Sequence, residues 1–187
     1  MTVYVDRCQI PGWGSFWIGI IDGQLGYLKL PPEHSQEALP ENEVPGELED
    51  FAAHWNLTLV VRRVGPAPEV WGQLRQYLGG TRQQFQLPLK LLGTDFQKQV
   101  WQALLAIPWG EARTYRDIAI ALGNCRLARA VGQANGRNPV SIVVPCHRVV
   151  AKDGLGGYTG GLGLKQRLLQ IEGTLKNIAV NGKGRAV

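Results

Sequence analysis

Apolar and polar positions change rhythm midway along the chain. Phe16 to Ile21 and Leu25 to Leu30 are short, apolar and β-rich, and they flank Asp22-Gly23, a dipeptide suited to the positive φ angles of a tight hairpin turn. Leu57 to Arg62 is a further β-rich run. Between them, Pro31, Pro32, Pro40 and Pro45, with six acidic residues from Glu33 to Glu49, read as an exposed connection with a short helix near Gly46 to His54. A helix follows from Ala67 to Leu78, stopped by Gly79-Gly80, and Thr81 to Leu92 then reads as extended.

The second half has helical spacing and frequent breaks. Thr94 with Gln97 forms a capping box, and Phe96, Val100, Ala103 and Leu104 fall on one face of a helix ending before Pro108. Thr114 with Asp117 starts a helix carrying Ile118, Ala119 and Leu122; Gly123-Asn124 breaks it, and helical spacing resumes from Leu127 to Ala134. Helix, Gly-containing turn, helix is the outline of a helix-turn-helix, whose second helix would carry Arg126, Arg129 and Arg137. Helical hairpins also occur in proteins that never touch DNA. After Asn138-Pro139, the run Val140 to Val144 reads as a buried strand, followed by Pro145-Cys146-His147-Arg148. Leu164 to Ile171 reads as a short helix, with Glu172 near its end and Gly173 as its stop.

Composition narrows the function classes. With 44% hydrophobic and 19% charged residues in 187, the chain is neither disordered nor a coiled coil. Its longest apolar stretches fall far short of the ~20 residues of a membrane-spanning helix. Thr2, Val3, Tyr4 and Asp6 after Met1 offer no basic region leading into an apolar one, so no secretory signal is expected and the expected location is the cytoplasm. Cys8, Cys125 and Cys146 stand in no CxxC spacing, and at least one of the three is expected to be a free thiol. The net charge of +5 is unevenly spread: residues 1 to 85 carry 6 Lys and Arg against 10 Asp and Glu, net −4, whereas residues 86 to 187 carry 14 against 5, net +9. Such a basic half either meets a polyanion, most commonly nucleic acid, or is an ordinary solvated surface.

The chemistry-bearing candidate is Cys146-His147. Neighbours on a regular strand point to opposite faces, so the two share a site only where the strand has ended, as Pro145 suggests. A thiolate is a nucleophile and imidazole the neutral-pH base that can generate one; an isolated pair is equally a buried inert cysteine beside a hydrogen-bonded histidine. The glycines at 154, 156, 157, 160, 161 and 163 around Tyr158 and Thr159 suit a loop whose backbone approaches a flat ligand.

These residues carry a family resemblance. Pro145-Cys146-His147-Arg148-Val149, preceded by Gly136-Arg137-Asn138-Pro139 and followed by Gly157-Tyr158-Thr159-Gly160-Gly161-Leu162, resembles the O6-alkylguanine-DNA alkyltransferases. The resemblance runs from about Leu87 through Gly173, taking in Gly93 to Gln97, Pro108-Trp109-Gly110, Thr114-Tyr115 and Ala128-Arg129-Ala130-Val131-Gly132, and is looser over residues 1 to 86. It implies an α+β fold: an N-terminal domain at 1–86 with an antiparallel, ribonuclease-H-like sheet, a helical, winged-helix-like DNA-binding and alkyl-acceptor domain at 87–173, and a flexible basic tail at 174–187 with Lys176, Lys183 and Arg185.

The same resemblance implies an activity and roles. Alkyl groups would pass irreversibly, one per chain, from O6 of guanine and O4 of thymine in double-stranded DNA to Cys146. His147 would be a water-mediated base oriented by Glu172, and Asn138 would brace the turn before the acceptor. Tyr115 would donate toward guanine N3 and the Thr159 backbone N–H would approach O6, with Tyr158 lining the pocket and Lys165 supporting the cysteine loop. Ala128, Arg126 and Arg137 would meet DNA, and Arg129 would enter the duplex as the damaged nucleotide flips out. No cofactor is expected; no metal is either, because Cys8 is the only N-terminal cysteine. The expected partner is DNA, met by a monomer or by several molecules along it, with no membrane. Thr159 stands where many relatives have serine, and Cys125 has no assigned role. The rivals are a binder of alkylated DNA without an acceptor thiol, against which Cys146 speaks, and a cysteine hydrolase.

Overall fold

The computed structural model describes residues 1–30, 44–61, 67–175 and 178. The acidic, proline-rich connection over 31–43, Arg62 at the end of the third β-rich run, and the tail positions Lys176, Lys183 and Arg185 lie outside the described residues.

The sheet begins with β1 (Thr2–Ile10), β2 (Gly14–Ile21) and β3 (Gln24–Lys29). Asp22 (φ 51°) and Gly23 (φ 77°) make the turn between β2 and β3, the backbone their types favour. Helix α1 (Gly46–His54) leads to β4 (Thr58–Val61), which pairs parallel to β1 and completes the order β3-β2-β1-β4, the other pairs being antiparallel. The unbroken apolar run of β2 follows from burial on both faces: Phe16, Ile18 and Ile20 enter one cluster, while Trp17 and Ile21 pack on α1 in another. β1 lies beyond the β-rich runs picked out above. Asp6 breaks its alternation, and the structure buries that carboxylate by giving it the Trp71 indole N–H at 2.8 Å and the Arg7 backbone N–H at 2.8 Å.

Trp71 belongs to α2 (Pro68–Leu78), beyond which an extended segment leads to α3 (Asp95–Leu105). Both helix starts read as capping boxes are formed: Thr94 and Gln97 cap α3, and Thr114 and Asp117 cap α4 (Tyr115–Ala121). After a 3₁₀ turn at Cys125–Leu127 comes α5 (Ala128–Gly136), so the helix-turn-helix outline is present. Of its three arginines only Arg129 lies within α5. Arg126 sits in the 3₁₀ turn, which Asn124 caps with its side chain, and Arg137 follows the last turn of α5. Two short strands, β5 (Arg113–Thr114) and β6 (Val149–Val150), pair in parallel, and α6 (Leu162–Ile171) ends at Glu172 with Gly173 at φ 73°.

The two halves share a core. A single buried cluster takes Phe16 and Leu28 from the sheet, Leu74 and Tyr77 from α2, Trp101 from α3, Val131 from α5 and Leu168 from α6. β3 also hydrogen-bonds onward: Leu25 pairs with the 88–90 segment, while Leu28 N–H donates to Pro139 O at 2.9 Å and Leu28 O accepts from Ser141 N–H at 2.8 Å. There the run Val140 to Val144 departs from the strand expected of it. Only Val140 and Ser141 continue the ladder; Ile142 turns the chain at φ 73°, and Val144 N–H reaches back to Val140 O at 3.0 Å. The turn overrides β-branched propensity, since a left-handed β-branched residue costs about 1–3 kcal/mol and persists only where its surroundings over-determine it.

Gly93 is a close-packing constraint. A Cβ there would lie 2.5 Å from two ring atoms of the fully buried Trp101, whose indole donates to Ala134 O at 2.9 Å. Gly93→Ala should therefore destabilise the protein by about 1–3 kcal/mol in urea unfolding. Gly72→Ala, in a helix with nothing within 4 Å of the added methyl, should be neutral or stabilising by up to about 1 kcal/mol. Equal effects would refute the packing account.

Candidate active site

The turn that ends the ladder brings Cys146 back to Asn138. Asn138 Oδ1 accepts from Val140 N–H at 3.0 Å, and Nδ2 donates to Val144 O at 2.8 Å and to the Cys146 sulfur at 3.1 Å. A 3₁₀ turn at Cys146–Arg148 then presents three consecutive side chains to the interior, all buried. Strand alternation no longer applies there, and Cys146 and His147 are buried together within reach of the Lys165 charge. Burial pushes the Cys146 thiol up; the Asn138 amide, the Lys165 ammonium and the facing Tyr158 hydroxyl pull against it.

His147 and Glu172 are in contact, Nε2 to Oε1 at 2.7 Å, with both side chains fully buried. Arg148 Nε donates to Glu172 Oε2 at 2.9 Å, Nη2 donates to Oε1 at 3.2 Å, and Nη1 donates to Ile107 O at 2.5 Å. The Tyr77 hydroxyl donates to the same Oε1 and lies 3.2 Å from His147 Nε2. Burial by itself would raise the Glu172 carboxyl, but hydrogen bonds and charge from His147 and Arg148 overcome it and bring it to about 2. Burial lowers His147 more than Glu172 raises it, so the imidazole is neutral at pH 7. With Nε2 turned to the carboxylate, Nδ1 is left buried without a hydrogen-bond partner among the described residues.

Lys165, on α6, is buried and donates to Val149 O at 2.6 Å, Leu155 O at 2.5 Å and Gly157 O at 3.2 Å, tying the glycine-rich loop to the strand after the cysteine turn. Burial lowers its ammonium to about 8. The β5–β6 pairing sets Tyr115 beside this loop: its hydroxyl lies 3.5 Å from Gly157 O, and a Cβ at Gly156 would lie 3.2 Å from its ring. Thr159 Oγ1 donates to Gly136 O at 3.1 Å, joining the loop to the end of α5. The Tyr158 hydroxyl is buried, and burial, followed by the Cys146 charge, holds it well above the usual phenol range. On the helix-turn-helix Arg126, Arg129 and Arg137 are exposed and Ala128 is half-buried.

Cys146, His147, Glu172, Asn138, Tyr158 and Lys165 thus converge, Tyr115 and Thr159 line the adjoining loop, and the three arginines sit outside on the helix-turn-helix. Tyr77 and Arg148 had no role in the sequence reading. Arg148 had a visible signal, as the residue after Cys-His; Tyr77 had none, because it arrives on α2 from the other half of the chain.

Comparison with known proteins places this arrangement. The family profile described as "6-O-methylguanine DNA methyltransferase, DNA binding domain" matches residues 95–174. The methylated-DNA–protein-cysteine methyltransferase of Methanosarcina barkeri is 54% identical over 101 residues, 54% of this chain and 64% of that protein, so the aligned part is under two thirds of the relative's length. The crystal structure of the Mycobacterium tuberculosis O6-methylguanine methyltransferase is similar over 92% of this chain and 94% of that one, at 34% identity and a TM-score of 0.71. The structure of Mycobacterium tuberculosis OGT in complex with DNA has the same coverage at 35% identity and a TM-score of 0.70. Likeness over nearly the full length of both chains, at that identity, reflects kinship and not architecture alone: the chain belongs to the O6-methylguanine-DNA methyltransferase family.

Proposed function

We propose that the protein repairs DNA by direct reversal, moving methyl or larger alkyl groups from O6 of guanine, and from O4 of thymine, onto Cys146. The observation that carries this reading is the buried thiol held by Asn138 and, next to it in the same buried turn, a neutral imidazole whose Nε2 is bound to a carboxylate and whose Nδ1 has no partner among the described residues. The names of the relatives and the DNA complex of one of them point the same way.

In this reading the thiol proton passes to His147 Nδ1, directly or through one water, as the sulfur attacks the alkyl carbon. The S–C bond forms, the C–O6 bond breaks, and its electron pair leaves with guanine, to which the Tyr115 hydroxyl donates a hydrogen bond at N3 while the Thr159 N–H approaches O6. Glu172 is a positioning residue: it holds Nε2 and stabilises the imidazolium. The thioether product has no route back to a thiol, so each chain acts once. A base stacked in a duplex is out of reach of a buried sulfur, so the nucleotide must flip, and in this reading Arg129, exposed on α5, fills its space from the minor groove. Arg126, Arg137 and the half-buried Ala128 border the same surface, and contact there rests on phosphates and shape, because lesions occur in any sequence.

Intact mass after mixing with an O6-benzylguanine-type substrate should rise by one alkyl increment per chain. Cys146→Ala should take up none while still binding DNA, and Cys8→Ser and Cys125→Ser should each keep the stoichiometry at one; transfer by the alanine variant would overturn the assignment. Glu172→Gln and replacement of His147 should slow transfer on the order of 10²-fold without loss of DNA binding. Because His147 is lowered from its ordinary 6.5, its base form persists below that value, so the rate should hold from pH 7 to 6.5 and fall only at lower pH. Arg129→Ala should slow repair of duplex DNA far more than reaction with the free base, and DNA affinity should fall with salt by a slope of roughly −0.9 per neutralised phosphate. Equal slowing on both substrates would assign Arg129 to the fold instead.

A further inference from the structure

We propose that Tyr77 is a positioning residue for alkyl transfer, a hydroxyl supplied by the N-terminal half that holds Glu172 and, through it, sets the tautomer and basicity of His147. The inference rests on the reading of His147 as the proton acceptor from Cys146. Tyr77 is fully buried on α2, and its ring is fixed from two sides, by Phe85 with centroids 4.8 Å apart and edge-on by Trp109 at 5.0 Å. So held, its hydroxyl lies at the point where Glu172 Oε1 and His147 Nε2 meet.

The consequence follows from how many donors one oxygen serves. Glu172 Oε1 receives Tyr77, His147 and Arg148, and each donor reduces the negative charge that the carboxylate turns toward the imidazole. The titratable and charged groups facing His147 are Glu172, Arg148, Lys165 and Tyr77, and those facing Glu172 are His147, Arg148 and Tyr77. Tyr77 is neutral, its phenol held well above the usual range first by burial and then by Glu172. It stays a donor at every pH at which the protein works. Because that hydroxyl gives its proton to Oε1, it offers none to Nε2, which stays the protonated donor to the carboxylate with the Nδ1 lone pair free; the same donation limits how far Glu172 can raise the imidazole.

Tyr77→Phe keeps the ring packing and removes only the donor. Single-turnover rates of alkyl transfer to full-length protein, measured from pH 5 to 9, should fall about 3- to 10-fold at pH 7.5, the size of one hydrogen bond. The acid limb should move up by about half a pH unit, because a less shared carboxylate stabilises the imidazolium more. 3-Fluorotyrosine placed at 77, a stronger donor of nearly the same shape, should move that limb down, and it serves alone if the phenylalanine variant does not fold. In a Glu172→Gln background Tyr77→Phe should change neither rate nor profile further. An unmoved acid limb in both Tyr77 variants, or an undiminished effect in the Glu172→Gln background, would overturn the proposal and leave Tyr77 a packing residue. If Glu172→Gln itself transferred alkyl groups at the parent rate, the relay reading would fall, and this inference with it.

Discussion

A carboxylate with no exposed side-chain surface governs this protein. Glu172 sits at the junction of a helix end, the cysteine turn and the N-terminal half, and an ion so placed is tolerable only if every lone pair is satisfied. Its donors come from distant parts of the chain: Tyr77 from α2, and His147 and Arg148 from the cysteine turn, 95, 25 and 24 residues away. The donors that hold the carboxylate ionised in the interior come from both halves, so the packing of the two halves and the assembly of the site are coupled. Removing the charged partner, Arg148, from such a buried ion costs about 3–5 kcal/mol, more than a surface pair contributes.

The rest of the site uses the same physics at lower stakes. Lys165 is a buried ammonium given three backbone carbonyls, and the charge it keeps lies near enough to favour a thiolate at Cys146. Burial nevertheless keeps that thiol raised and the imidazole lowered, so at neutral pH the resting pair is uncharged. Charge separation is deferred to the moment a substrate is present. The turn that delivers the sulfur is held by Asn138 from both sides, which is how a left-handed Ile142 is tolerated. α6 is anchored at a third place, where Arg167 lies over the Trp13 ring at 3.9 Å and donates to Gly12 O at 2.5 Å, tying the Lys165 helix to the β1–β2 turn.

The local signals in the sequence were legible wherever the physics is local. Asp22-Gly23, the capping residues Thr94 and Thr114, the breaks at Gly79-Gly80 and Gly123-Asn124, and the helix end at Gly173 all act within a few residues, and each stands where its chemistry put it. The helical outline of Thr114 to Gly136 was equally readable, but which arginines ride on α5 was not, because a 3₁₀ turn consumed Cys125 to Leu127 before the second helix began. Val140 to Val144 depart from a regular strand for the opposite reason: β-branched residues report a preference, and the Asn138 side chain outweighs it.

Cys146, His147 and Glu172 were marked as a set through the ordered motifs of a family, and their types already defined the chemistry open to them: a nucleophile, a base and an acid. What only the tertiary structure decided is how those groups are tuned. Contact of His147 with Glu172, the sharing of that carboxylate with Arg148, and the entry of Tyr77 from 95 residues away depend on the packing of α2 and α6 around one core. Sequence patterns carry periodicity and capping because those are set by neighbours along the chain. A hydrogen bond to a buried ion is set by neighbours in space, and no local pattern marks it.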